Sequence, residues 1–449
     1  MSRIEDALKH TTDTKACEIG PGVTAAAAHM FRQLFDGRKS ALVIADPRTW
    51  KVAGECVKSQ LSAAGVDCAT YLLGADGKPF HAEYRWIDEL RDAAAAFGDR
   101  VPVAVGSGTV NDIVKRTSEE LGRRYMVVGT AASMDGYTSF GAAITKDGMK
   151  QTLSCKAPLG CIVDSQIAAD APCEMTASGY ADLLAKIPAG ADWMLADAVG
   201  SERIHPEAWG FVQGALRDSL SNPDGCAGRD EREVRKLCEG LVMSGFAMQA
   251  MGSSRPASGT EHQVSHYWDM EDLCFGGKPV SHGFKVGIGT LISTKTLEFL
   301  LRQDIASLDV DAVAERWPHS FDDVKRTFPA VFGGRPDHIK RAEMEYARKF
   351  PSRDGLRAEL VALKSAWSSL SERIAAQLMP FDEVREKLKA VGAPYEPEMI
   401  GVSRLRFRET YQGVPYMRSR YFGLDLVERL GLKDVLMEEL FGNGGVWSV

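Results

Sequence analysis

The sequence predicts an α/β amino-terminal domain with a parallel sheet, followed by an all-α carboxy-terminal domain. Three observations carry this. Short apolar runs alternate with helical patterns from residue 17 to about residue 163, as βαβ units do. One run, Val101 to Val105, ends in a glycine turn that opens a helix. From about Glu174 the strands stop and helical patterns follow one another. Domains are expected at 1–165 and 166–449, the second including a carboxy-terminal extension over 350–449.

Taken in order, Cys17–Ile19 reads as a short strand, and Gly-Pro-Gly then leads into an alanine-rich helix. Ala41–Ala45 is a continuous apolar strand ending at Asp46. A helix is expected over Lys51–Ala64, a strand over Ala69–Leu73, a loop over 74–79 and a helix over Tyr84–Phe97. After the Val101–Val105 strand, Gly106-Ser107-Gly108-Thr109 is poor in side chains. Asn111 or Asp112 is expected to cap the helix that Gly122 closes. Tyr125–Val128 is the next strand, and it ends in the small-residue loop Gly129-Thr130-Ala131-Ala132-Ser133. Lys150–Asp164 reads as the last strand pair and the crossover. Beyond it, helices are expected at 174–200, 207–221, 229–251, 260–273, 282–303, 308–315, 321–328, 336–349, 353–378, 381–390 and 400–412.

Composition narrows the class. The 449 residues hold 45% hydrophobic and 26% charged side chains, ordinary for a globular chain with a large core. The net charge of −7 speaks against a nucleic-acid or anionic-membrane surface. The nine cysteines are scattered with no CxxC pair, which fits free thiols in a reducing compartment. The first residues, MSRIEDALKHTTDTK, lack the apolar core of a signal peptide, and no stretch approaches membrane-spanning length. A cytoplasmic protein is the expectation.

Strand, glycine turn and helix start present bare backbone N–H groups to a phosphate. Two such loops at successive strand ends make one crevice, where open α/β sheets hold nucleotides. A glycine turn by itself is equally a tight turn. Asp46 stands where an acidic residue can bind ribose hydroxyls, and Arg48 beside it could accept a 2′-phosphate. Asp46 is also an ordinary turn carboxylate, so NAD and NADP both stay open. In the helical part Asp182, His262 and His282 are a carboxylate and two imidazoles, a donor set that suits a catalytic divalent ion with one open position. Their sequence separation matches no short metal motif, and a lone aspartate or histidine in a helix more often has a structural role.

GSGTVNDIVK followed by GTAASMDGYTS resembles the glycerol-1-phosphate dehydrogenases, in the branch with the bacterial arabinose-operon enzyme AraM. These belong to the iron-containing alcohol dehydrogenase and dehydroquinate synthase superfamily. The resemblance covers residues 15–300 well and continues more weakly to the end. It implies a dehydroquinate synthase-like fold whose helical domain binds the metal. It also implies three ligands: an Asp in G-x-x-D, a His in G-x-E-H and a His in H-G-x-x-V. Asp182, His262 and His282 match in that order. His266, one turn beyond His262, matches a histidine that contacts substrate and not metal; a titratable imidazole there suits a proton relay, with a plain surface histidine as the alternative. Asp135, in Ser-Met-Asp-Gly-Tyr, is expected to touch the substrate hydroxyls, as is Asp182; the alternative for Asp135 is a turn aspartate beside Gly136.

The activity implied is a metal-dependent, NAD(P)-linked interconversion of dihydroxyacetone phosphate and sn-glycerol 1-phosphate. The dinucleotide is expected on Gly106, Gly108, Thr109, Asn111, Asp112, Thr130 and Ser133, with Ser139 near its nicotinamide half and Asp46 near a ribose. Zinc is the first choice of ion, with nickel or iron as alternatives. A glycerol or other polyol dehydrogenase, or a dehydroquinate synthase-like lyase, is the competing reading. A phosphorylated polyol is the expected partner, with no nucleic acid and no membrane, in a homodimer. Lys150, Lys156 and Lys186 are candidates for the substrate phosphate, none assigned.

Overall fold

In the computed structural model residues 3–75, 80–146 and 149–449 are described, without the side chains of Met149 and Lys150. Positions 76–79 of the expected loop, and the Lys150 side chain, lie outside them. The chain forms two compact units. The first is Met1–Leu183, Pro206–Ala257 and Ala390–Ala393; the second is Leu184–His205, Ser258–Lys389 and Pro394–Val449. Among the described residues no helix is long and apolar enough to cross a membrane.

The first unit is built on a six-stranded sheet. Its strands are β1 (Ala16–Gly20), β2 (Ser40–Ala45), β3 (Asp67–Leu72), β4 (Val101–Gly106), β5 (Met126–Gly129) and β8 (Gly160–Asp164). They run in the order β1-β8-β5-β4-β2-β3, and every pairing is parallel. All six residues of β4 are buried, as a strand covered on both faces requires. From β2 the chain steps outward to β3, and from β4 it steps the other way to β5. The loops leaving β2 and β4 therefore diverge, which makes the topological switch point of an open sheet. The expectation for Lys150–Asp164 needs a correction. Only β8 joins the sheet, while β7 (Met149–Leu153) pairs antiparallel with β6 (Ala142–Lys146) in a separate hairpin.

Helix α1 (Gly108–Glu120) starts earlier than expected, with Ser107 at its N-cap position. A Cβ on Gly106 would meet the Val110 Cβ at 2.7 Å, so the turn closes at once onto the helix. Asn111 and Asp112 therefore sit inside the helix and do not cap it. Asn111 is fully buried and accepts from the Tyr125 hydroxyl at 3.0 Å. The Asp112 carboxylate accepts from the Ala143 amide at 3.2 Å.

Two further helices shape the loop after β5. Helix α2 (Cys173–Leu184) crosses it at Gly179, where a Cβ would lie 2.0 Å from the Ala132 carbonyl oxygen. Helix α3 (Glu231–Met251) crosses it at Gly245, where a Cβ would lie 2.1 Å from the Thr138 hydroxyl. Gly179→Ala should therefore force α2 off the loop. We expect a loss of ~1–3 kcal/mol in urea unfolding, the usual size of an overpacking defect. An unchanged urea midpoint would show that the loop yields instead.

The second unit is helical apart from a two-residue hairpin, Cys274–Phe275 with Lys278–Pro279, a small departure from the expected absence of strands. Helices α4 (Thr260–Asp269) and α5 (His282–Leu301) touch backbone to backbone, since a Cβ on Gly289 would lie 2.3 Å from the Glu261 carbonyl oxygen. The carboxy-terminal arginine run packs within this unit. Arg420 donates to the Ser258 carbonyl at 3.1 Å, and the Gly423 amide donates to Asp192 at 2.7 Å.

Candidate functional site

The first unit carries a cleft of about 820 Å³ at the carboxyl ends of β2, β4 and β5. Asp46, Arg48, Ser107, Thr130 and Ala131 line it. Its place is the switch point, the position at which open α/β sheets bind ligands. The Ser107 loop opens α1 onto this cleft, so the positive helix end and its bare N–H groups are available to a pyrophosphate. Of the expected nucleotide residues, Asp46 and Thr130 line the cleft directly. Gly106 and Gly108 flank Ser107. Thr109, Asn111, Asp112, Ser133 and Ser139 lie off the described lining.

Asp46 has a structural task as well. Its Oδ1 accepts from the Arg48 and Thr49 amides at 2.8 and 3.0 Å, and its Oδ2 accepts from the Thr49 hydroxyl at 2.9 Å. It caps the short helix after β2, which fixes the direction in which its carboxylate points.

The loop after β5 is tied down on several sides. Asp182, on α2, is fully buried and accepts the Asp135 amide at 3.1 Å. Ser244, on α3, donates to the Asp135 carboxylate at 2.8 Å. Ser178 donates to the Ser133 carbonyl at 3.3 Å. Asp135 thus stands beside Asp182, both in the first unit. Lys115 was missed by the sequence reading. Its buried ammonium donates to the carbonyls of Gly136, Ser139 and Gly141 at 2.8, 3.0 and 3.0 Å. A lysine on an amphipathic helix normally reads as solvated, so nothing in the pattern marked it.

In the second unit the backbone contact of α4 and α5 brings three histidines together. The His262 and His282 rings are 5.4 Å apart, and His266 is 6.5 Å from each. The Glu261 carboxylate accepts from the Gly259 amide at 2.6 Å and faces His262 Nδ1 at 2.8 Å. A buried carboxylate facing Nδ1 favours the N–H on that nitrogen and leaves the lone pair on Nε2, the arrangement usual behind a metal-binding histidine. Glu261 was legible as the third letter of G-x-E-H but was not singled out. Ser281 caps α5 by accepting the Phe284 amide at 3.3 Å, which sets His282 at the helix start.

Crowding by protein atoms lowers the His266 pKa, and Asp269 works against that shift. Of the lysines considered for a phosphate, Lys156 is exposed and Lys186 is fully buried.

Comparison with known proteins agrees with this fold. Residues 18–172 match the model of the iron-containing alcohol dehydrogenase family. A glycerol-1-phosphate dehydrogenase (NAD(P)+) of Halalkalibacterium halodurans is 36% identical over 251 residues, 56% of this chain and 63% of that one. The match with the Geobacillus thermodenitrificans protein likewise spans 63% of its length. The protein of the same name from Bacillus licheniformis is 33% identical over 91% of this chain and 87% of its own. Among solved structures, glycerol dehydrogenase from Schizosaccharomyces pombe superposes with a TM-score of 0.59 at 15% identity, covering 95% of this chain and 91% of that one. With a cleft at the switch point, a histidine cluster on α4 and α5, and these relatives, the chain belongs to the glycerol-1-phosphate dehydrogenase family of the iron-containing alcohol dehydrogenases.

Proposed function

We propose that this protein is a metal-dependent, NAD(P)-linked dehydrogenase that interconverts dihydroxyacetone phosphate and sn-glycerol 1-phosphate. The observation that supports it most is the 33% identity to the B. licheniformis glycerol-1-phosphate dehydrogenase across 87% of that protein. We propose that Asp182, His262 and His282 hold one divalent ion together. The donor chemistry fits: two imidazoles lie close together, one is oriented by a buried carboxylate, and Asp182 is a buried carboxylate that a cation would balance. Zinc is the first ion to test, then nickel and iron.

When bound, the ion supplies Lewis acidity and the nicotinamide supplies hydride. The chain's own residues do the rest. The cleft at Asp46, Ser107 and Thr130 holds the dinucleotide, with backbone N–H groups at the start of α1 for its pyrophosphate. Gly106, Gly108 and Thr109 shape that turn, Asn111 and Asp112 hold its first helical turns in place, and Ser133 and Ser139 frame the loop beyond. Asp135, fixed by Ser244, orients substrate hydroxyls. His266 takes and returns the hydroxyl proton. A homodimer is the assembly this reading carries.

The test is a cofactor assay on chelator-treated protein with metals restored singly. NAD(P)H oxidation by dihydroxyacetone phosphate should fall by ~10²-fold or more without metal and return with one ion. Faster turnover with glycerol would identify a polyol dehydrogenase. No net NAD(P)H consumption with any ketone would overturn the dehydrogenase reading in favour of a lyase.

A further inference from the structure

His266 does not stand alone on α4. Asp269, the last residue of that helix, lies one turn further on, and its Oδ2 is 3.3 Å from His266 Nδ1. The other oxygen, Oδ1, accepts from the ammonium of Lys285, which α5 places one turn beyond His282. Asp269 and Lys285 are both buried, at 6% and 5% exposure. A buried carboxylate facing a buried ammonium is held ionised, and an ionised carboxylate only accepts. The ring nitrogen facing it must therefore donate. The neutral imidazole has one N–H, so the lone pair then resides on Nε2. The 40% of the side chain that is open to solvent gives a ligand access to that ring.

We propose that Asp269 and Lys285 are positioning residues that lock His266 as the Nδ1-protonated imidazole, with Nε2 as its proton-accepting atom. This rests on the dehydrogenase reading above for its chemistry. In the direction of alcohol oxidation the substrate O–H bond breaks and its proton goes to Nε2. The carbon-bound hydrogen leaves as hydride to the oxidised nicotinamide, and the carbonyl forms. In reduction, Nε2–H returns the proton to the alkoxide. The Nδ1–H bond to Asp269 stays intact throughout, so the carboxylate stabilises the imidazolium without being protonated.

The arrangement predicts an inversion. In Asp269→Asn the amide keeps an oxygen for Lys285 and turns its NH₂ toward His266. Nδ1 must then accept, and the N–H moves to Nε2, where no proton can be taken up. Zinc-loaded protein labelled with ¹⁵N-histidine, with His266→Ala to assign the resonance, reads the tautomer directly. The wild type should show Nδ1–H, and Asp269→Asn should show Nε2–H. kcat with dihydroxyacetone phosphate should fall ~10²-fold or more in that variant, with NAD(P)H affinity and bound zinc kept within about twofold. If Asp269→Asn does not fold, Asp269→Glu should retain Nδ1–H, and Lys285→Met should lower kcat at least about tenfold with zinc retained. An Nε2–H tautomer in the wild type, or Asp269→Asn with unchanged tautomer and kcat, overturns the assignment. Protein that is inactive on every ketone but shows Nδ1–H, inverted by Asp269→Asn, supports the positioning and removes only the functional reading.

Discussion

Asp182→Ala is expected to lower turnover ~10³-fold or more and to strip the bound ion, while NAD(P)H still binds. The size follows from the task. A Lewis acid at a carbonyl contributes several kcal/mol to the transition state, and each 1.36 kcal/mol is about tenfold in rate. The position supports the role. Asp182 is fully buried on a helix pressed against the Ala132 carbonyl at Gly179. Ionised carboxylates are buried at a cost of several kcal/mol unless a cation or donors offset it. The dinucleotide cleft is lined by other residues, Asp46, Ser107 and Thr130 among them, so its affinity should change little. Metal content by mass spectrometry and NADH fluorescence titration measure both halves. His262→Ala should behave alike. Full activity of Asp182→Ala in chelator would end the metal assignment.

Much of this was legible in the sequence because it rests on local rules. Continuous apolar runs marked β2 and β4, since a strand buried on both faces needs no alternation. The glycine turn marked that a helix follows β4, but not its first residue: α1 begins at Gly108, four to five residues before the start that a cap at Asn111 or Asp112 would give. Long-range pairing was not legible. That β1 joins the sheet through β8, with Cys17 opposite Cys161, depends on partners far apart in the chain. The hairpin β6–β7 is local and was missed for a different reason: β7 was assigned to the main sheet together with β8. The candidate site divides similarly. Motif letters pointed to His262 and His282, helical spacing from His262 pointed to His266, and the rings lie within 6.5 Å of one another. Asp269 and Lys285 passed unnoticed, because a charged residue in a helix reads as a solvated face until its partner is known. Lys115 is the clearest instance.

Lys115→Met is expected to destabilise the protein by ~2–4 kcal/mol and to lower kcat along with it. The lysine side chain is fully enclosed and its ammonium reaches three carbonyl oxygens, with the Asp112 carboxylate 3.8 Å away. Hydrogen bonds to a charged group are worth ~1.5–3 kcal/mol each, but burying the charge takes part of that back. The Gly136 carbonyl also accepts from Asn111 at 3.3 Å and Ser139 at 3.1 Å, so it keeps donors when the ammonium is gone. The carbonyls of Ser139 and Gly141 lose theirs, and two such losses account for the range given. Methionine fills the volume of the stem and restores no donor. The segment that loosens follows directly on Asp135, so the defect reaches the substrate side without touching the histidines. Urea unfolding should therefore show a lower midpoint at unchanged slope, and KM for the ketone should rise while bound metal stays near one equivalent. A variant within 0.5 kcal/mol of wild type (roughly the scatter of surface substitutions) would mean that the bonds to Asn111, Asp182, Ser178 and Ser244 hold the loop without the ammonium.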